Sequence, residues 1–412
     1  MRKTTFVSGA LVIGVALFAA GALTPSRGER SGASYGRAAE ASDAAFQARL
    51  GLSHIQRSRD EANPTFLPRA DEVLQRSLEL QPEGNLEAFV GMASLANARH
   101  DFSTSVEWSR RAIETDPYSA DAYGLLGDAL FELGRVRAAD AAYEEMVARR
   151  PDVASYVRVS YALQYRGEVR AAIGAMKLAL QAAGPSGETA AWVRHQMADI
   201  YAGTLDIEEA ARQNRIGISV APEYVPPAVG LAETFVARGR VAAAIEIMEE
   251  AVSHLPSLEY MVTLGELYEA AGRLDDADAQ YDSVASKLAS YRRNGVLPDA
   301  DFIIFHADHG SRPNLALREA YSIYRDRPTG KTADALAWML HSVGRDREAS
   351  LYAGEAVASP AADSSTFFHA GSIARALGRT TEARDLMRRA LELDPRFSPL
   401  RAPIARRIAR TS

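Results

Sequence analysis

Proline recurs along this 412-residue chain at an almost constant interval: Pro117, Pro151 and Pro185 stand thirty-four residues apart, Pro222 follows after thirty-seven and Pro256 after another thirty-four. A fixed period of this length means a supersecondary unit too small to bury its apolar face alone, so the chain must fold as a stacked array. Apolar residues make up 47% of the chain and Ala is frequent, whereas runs of Val, Ile and Thr bounded by turns are rare beyond the first twenty-five residues. The units are therefore helical and the class is all-α.

Within one period, AYGLLGDALFELGRVRAADAAYEEM (122–146) returns near the other end as FHAGSIARALGRTTEARDLMRRAL. Tyr123, Leu126 and Leu130 are three and four apart, on one face of a first helix. Gly134 ends that helix with a left-handed residue. Ala139 and Tyr143 share a side of a second helix, and Pro151 closes the unit. Where helices cross closely only Gly or Ala leaves room, with a large neighbour filling the adjacent gap.

This spacing resembles the tetratricopeptide repeat. The match is best at Tyr123, Leu126, Gly127, Leu130, Gly134, Ala139, Tyr143 and Pro151. It recurs with Met197, Ala198, Tyr201, Ala210 and Pro222; with Leu231, Ala232, Phe235, Gly239, Ala244, Ala251 and Pro256; and with Leu264, Gly265, Tyr268, Gly272, Ala277 and Tyr281. Near the end Ala370, Gly371, Gly378, Ala383, Ala390 and Pro395 repeat it, and weaker copies fill 43–82, 86–117, 153–185, 300–328 and 332–358. The resemblance implies an α-solenoid of about ten helix-turn-helix repeats in a right-handed superhelix, preceded by an apolar leader helix. Gly-Arg pairs at 134/135, 239/240, 272/273, 344/345 and 378/379 fall in the turn between helices.

Two irregularities divide the array. DEANPTFLP (60–68) lengthens the first turn, as in a modified cap, and SKLASYRRNGVLPDAD (286–301) loses the phase. The latter predicts an extended helix and a kink at Pro298 between an array at 43–297 and a smaller one at 298–400. In the tail, 401–412, Ile404 and Ile408 share a face opposite Arg406, Arg407 and Arg410, the pattern of a basic capping helix that would also suit a membrane surface.

At the N-terminus, Arg2 and Lys3 precede an apolar run from Phe6 to Leu23, with Ala20-Gly21-Ala22 offering a cleavage site. Residues 1–25 read as a signal peptide or signal anchor and 26–42 as a flexible linker, which predicts an exported protein, periplasmic, extracellular or held outward on the cytoplasmic membrane. With no Cys in the chain, lipoprotein anchoring, disulfides, thiolate metal sites and thiol catalysis are excluded. A net charge of -6 without a basic block argues against nucleic-acid binding.

Apparent catalytic signals fail. Gly330-Lys331-Thr332 ends like a phosphate loop, but Arg325 stands where the loop needs its first glycine. His306 and His309 flank Asp308 without a further ligand at metal spacing, so packing or capping is the expected role. No nucleophile elbow, zinc-protease helix or dinucleotide fingerprint appears. No enzyme activity, cofactor or metal is expected.

The family places the first helix of each repeat on the concave surface. Carried over residue by residue, this would put Asn97, Asp121, Asp128, Phe131, Tyr161, Tyr165, Trp192, His195, Asp199, Glu233, Glu259, Glu266, Glu269, Trp338, His341 and Phe368 in the groove. The mixture is aromatic and acidic, suited to a protein partner with a basic segment. The Lys and Asn set that clamps a C-terminal carboxylate in some family members is replaced by Val90, Ser94, Asn97, Asp121 and Leu125. The leading expectation is a non-enzymatic scaffold holding a partner segment. Its alternatives are a peptide or small-ligand sensor closing at 286–301 and an accessory presenting substrate to an envelope enzyme.

Overall fold

A computed structural model describes residues 32–410, with side chains from residue 42 on. The leader expected at 1–25 lies outside the described residues. Among those described, all regular structure is helical.

The helices come in consecutive pairs. These are α1 (Gly32–Asp60) and α2 (Phe66–Leu80), α3 (Leu86–Ala98) and α4 (Phe102–Thr115), α5 (Ala120–Glu132) and α6 (Val136–Arg149), and α7 (Val153–Tyr165) and α8 (Val169–Ala183). Then follow α9 (Glu188–Gly203) and α10 (Ile207–Val220), α11 (Pro226–Ala237) and α12 (Val241–His254), and α13 (Leu258–Ala270) and α14 (Leu274–Arg293). The last are α15 (Ala300–Asp308) and α16 (Pro313–Asp326), α17 (Gly330–Ser342) and α18 (Asp346–Ala358), and α19 (Ser364–Ala376) and α20 (Thr380–Leu393), before a single α21 (Arg401–Arg410). The ten phased copies are ten helix pairs. Helix α1 begins at Gly32, so 32–42, expected as linker, is helical.

The turn chemistry is uniform. Gly134 has φ +72°, and its N–H and that of Arg135 return to Phe131 O and Leu130 O, satisfying carbonyls the helix end would leave open. The same pair of bonds closes α11, α13, α17 and α19 at Gly239, Gly272, Gly344 and Gly378. The following arginines are not merely solvated: Arg240 lies over the Phe235 ring at 4.7 Å and Arg273 over Tyr268 at 4.3 Å. Among the described residues, three turns inside a pair carry the left-handed residue without glycine, at Ala62, His100 and Leu205.

Inside a pair the small residue admits its partner's aromatic ring. A Cβ on Gly127 would lie 2.4 Å from Tyr143, and one on Gly265 2.4 Å from Tyr281. First helices are buried nearly all round, as α5 is from Ala120 to Phe131, whereas α6 buries only Ala139, Ala142, Tyr143 and Met146.

The chain divides into two compact units. The first runs through Arg158 and includes Ser290–Leu297; the second comprises Val159–Ala289 and Pro298 onward. This differs from the expected division at Pro298. Helix α14 is indeed long, at 20 residues, but the segment after it belongs to the first unit. There Leu297 N donates to Arg99 O at 2.9 Å, and His100 Nδ1 meets Leu297 O at 3.1 Å. In the second unit α21 packs on α20, with Ala405 and Ile408 joining Phe368, Met387 and Ala390, and Ala402 is buried as well. Ile404, expected on that face, is 36% exposed, because the apolar seam follows the smaller alanines.

Candidate functional site

Four carboxylates occupy one position of the repeat. Asp128, Asp199, Glu233 and Glu266 each directly follow the small residue of a first helix, Gly127, Ala198, Ala232 and Gly265. Their surroundings diverge.

In the first unit Asp128 is buried. Its oxygens accept from Arg158 Nε at 2.9 Å and Nη2 at 2.8 Å, and from Tyr143 OH at 3.2 Å. Arg158, 3% exposed, also donates to Ala154 O. Asp128 is thus spent on holding α5, α6 and α7, not offered to a groove. Asp121 pairs with Arg150, Asn97 donates to Leu125 O at 3.4 Å, and Phe131 is buried.

In the second unit the equivalent positions hold acids with weaker ties. Among the described residues the ion-pair partner of Asp199 is His195 alone, at 3.8 Å, whose Nδ1 faces Asn214 Oδ1 at 3.2 Å. Glu233 on α11 and Glu259 on α13 have no basic group within ion-pair reach among the described residues. Burial pushes the Glu259 carboxyl up to about 8, with Glu233, Asp199 and Asp301 adding to the rise and Lys331 opposing it. Burial first, then Asp199, raises Glu233 to about 7, and burial raises Asp199. Glu233 is exposed at its surface and water screens it, so half-buried Glu259 is where the proton is held most firmly. Asp199 adds to the rise of both Glu233 and Glu259, and Glu233 to that of Glu259, so the three share one electrostatic face across α9, α11 and α13.

Further along, burial raises Glu266 while Arg401 counteracts it. Glu269 is exposed and accepts from Tyr281 OH at 3.1 Å. Trp338 Nε1 donates to Asp308 at 2.7 Å, and its ring stacks on His369 at 4.1 Å. His369 Nδ1 in turn faces buried Asp334 at 3.0 Å. His341 pairs with Asp346, Tyr161 and Tyr165 are half-buried, and Trp192 and Phe368 lie inside the array.

The groups set aside as catalytic take part in the framework. His306 is buried and meets Ser311 Oγ; His309 lies against Tyr281 at 3.7 Å and Phe305 at 4.7 Å, and burial lowers its pKa. Gly330 opens α17, where a Cβ would strike Ser359; Lys331 pairs with Asp301 at 2.9 Å, and Thr332 completes a capping box with Thr329. Among the described residues no helix is long and apolar enough to cross a membrane.

The residues missed from sequence are those facing the acids from other helices: Asp301, Asp308, Lys331, Asp334, His369 and Arg401. One signal was available. Several ties join a residue to the one thirty further on, one period less one helical turn, as in Asp128–Arg158, Glu208–Arg238, Asp301–Lys331 and Asp308–Trp338.

A family model for the tetratricopeptide repeat matches residues 120–153 and 364–397. Anaphase-promoting complex subunit 7 of Arabidopsis thaliana is 23% identical over 198 residues, 48% of this chain and 35% of that protein, so the match spans about a third of the relative's length. Among solved structures, the human IFIT1 dimer with PPP-AAAA is 17% identical with a TM-score of 0.47, covering 75% of this chain and 72% of that one. PilF of Pseudomonas aeruginosa gives 17% and 0.39 over 55% and 96%. YrrB, described as a TPR protein with an unusual peptide-binding site, gives 15% and 0.30 over 44% and 92%.

Proposed function

The chain is a tetratricopeptide-repeat protein, and from that premise we propose that it is a non-enzymatic scaffold whose second unit holds a basic segment of a partner protein. The observation that carries this reading is the set Asp199, Glu233 and Glu259, acids on successive first helices without a close arginine or lysine. Elsewhere the protein neutralises such groups, as it does Asp128 with Arg158. Half-buried carboxylates such as Glu259 without a close cation cost stability, and a lysine or arginine from outside would offset that cost while setting register. Location outside the cytoplasmic membrane is part of the proposal and is supported by Arg2 and Lys3 before the apolar run at 6–23.

The test is an array of basic, neutral and acidic peptides probed with the whole chain and with the Asp199→Asn, Glu233→Gln, Glu259→Gln variant. Basic peptides are expected to bind the first and be lost from the second, with equal folding by circular dichroism. Equal retention by both proteins would remove the acidic face from the reading.

A further inference from the structure

The segment between α20 and α21 does more than connect them. Arg396 Nη1 donates at 2.6 Å to Ala237 O, 159 residues earlier, at the last residue of α11. Carbonyls at that end lack partners within their helix and carry the negative end of its dipole. Ala237 lies one turn beyond Glu233 on the same helix. At the other end of the segment, Arg401 pairs with Asp308 at the close of α15, 93 residues earlier. The two side chains are 16% and 15% exposed, and the other Asp308 oxygen accepts from Trp338. Arg401 also lies in the field of Glu266 on α13 and Asp334 on α17. Both cations therefore meet the C-terminal ends of first helices of the second unit, Arg396 one turn along α11 from Glu233 and Arg401 beside the acids Asp308 and Glu266.

Capping does not require them. The apolar contacts of Ala405 and Ile408 with the cluster of Met387, Ala390 and Phe368 already seat α21 on the last pair. Arg396 and Arg401 make their contacts elsewhere, as a partner's basic residues would.

We infer that residues 394–401 are an autoinhibitory strap: the chain's own Arg396 and Arg401 occupy one end of the acidic face and must leave before a basic segment can lie along all of it. The inference rests on the reading of that face as a binding surface. Release exposes Asp308, Glu266 and the α11 carbonyls together, so the strap sets the threshold for binding.

The probe is a fluorescent nona-arginine peptide titrated by anisotropy into the whole chain. The Arg396→Gln, Arg401→Gln variant is compared with Arg407→Gln, Arg410→Gln, which removes the same charge from exposed positions of α21. The strap variant is expected to bind roughly tenfold or more tighter than both wild type and control. Amide exchange should quicken over 395–400 while 402–408 stays protected. Equal affinity in strap variant and control, including none in either, overturns the strap. So does exchange that rises across 402–408, since the arginines would then be holding the cap. Tight binding by the strap variant that survives neutralising Asp199, Glu233 and Glu259 keeps the strap but removes those three from the site.

Discussion

Asp128 and Glu233 hold the same place in their repeats, directly after the small residue of a first helix, yet one is locked in a buried ion pair and the other is open. The difference lies thirty residues downstream. Asp128 finds Arg158 there, on the next first helix, whereas the same step leads from Glu233 to Thr263 and from Asp199 to Val229. In a stacked array, then, the role of a repeat position is decided by its neighbour in the following repeat.

The largest expected effect tests the closed member. Arg158→Met should cost about 3–5 kcal/mol in thermal or urea unfolding, because it strands Asp128 without its partner. Adding Asp128→Asn should return much of that; a single-variant loss below about 1 kcal/mol would dissolve the contrast. Next, the small residue before each acid should behave alike in both units. Gly127→Leu and Gly265→Leu are each expected to lose about 1–3 kcal/mol by forcing Tyr143 or Tyr281 aside, and unchanged melting of either would show that the crossing can relax.

A smaller effect probes the open member by pH. Glu259 titrates near 8 in the folded protein against 4.5 in the unfolded chain, so between those values the folded state holds the extra proton. Stability should therefore fall as pH rises from about 4.5 to about 8 and level off above. Glu259→Gln should flatten this slope in unfolding measured across that range. The smallest expected effect lies between repeats: Leu205 sits at φ +64°, is 39% exposed, and occupies the turn place that Gly134 fills elsewhere. Leu205→Gly should gain up to about 1 kcal/mol, left-handed strain outweighing the added chain entropy, and a loss would mean the leucine packs usefully.

Much of the fold was legible because its signals are local. Helix pairs, turn glycines and the Gly127–Tyr143 and Gly265–Tyr281 crossings all arise within one period. The candidate site was legible only in part. Asp199, Glu233 and Glu259 follow from register, but Asp128 and Phe368 are enclosed with the help of Arg158 and Trp338 from neighbouring repeats. Arg158 could have been found by stepping thirty residues; Arg401, 93 residues from Asp308, has no such rule. The division into units escaped for the same reason, since nothing near Leu297 announces its bond to Arg99.

That bond bears on the order of synthesis. A chain emerging from the ribosome presents everything through Arg158 early, but Ser290–Leu297, which belongs to the same unit, arrives about 130 residues later. Until then the Arg99 carbonyl lacks the Leu297 N–H, and the first unit waits, incomplete, on a stretch made only after Val159–Ala289 of the second.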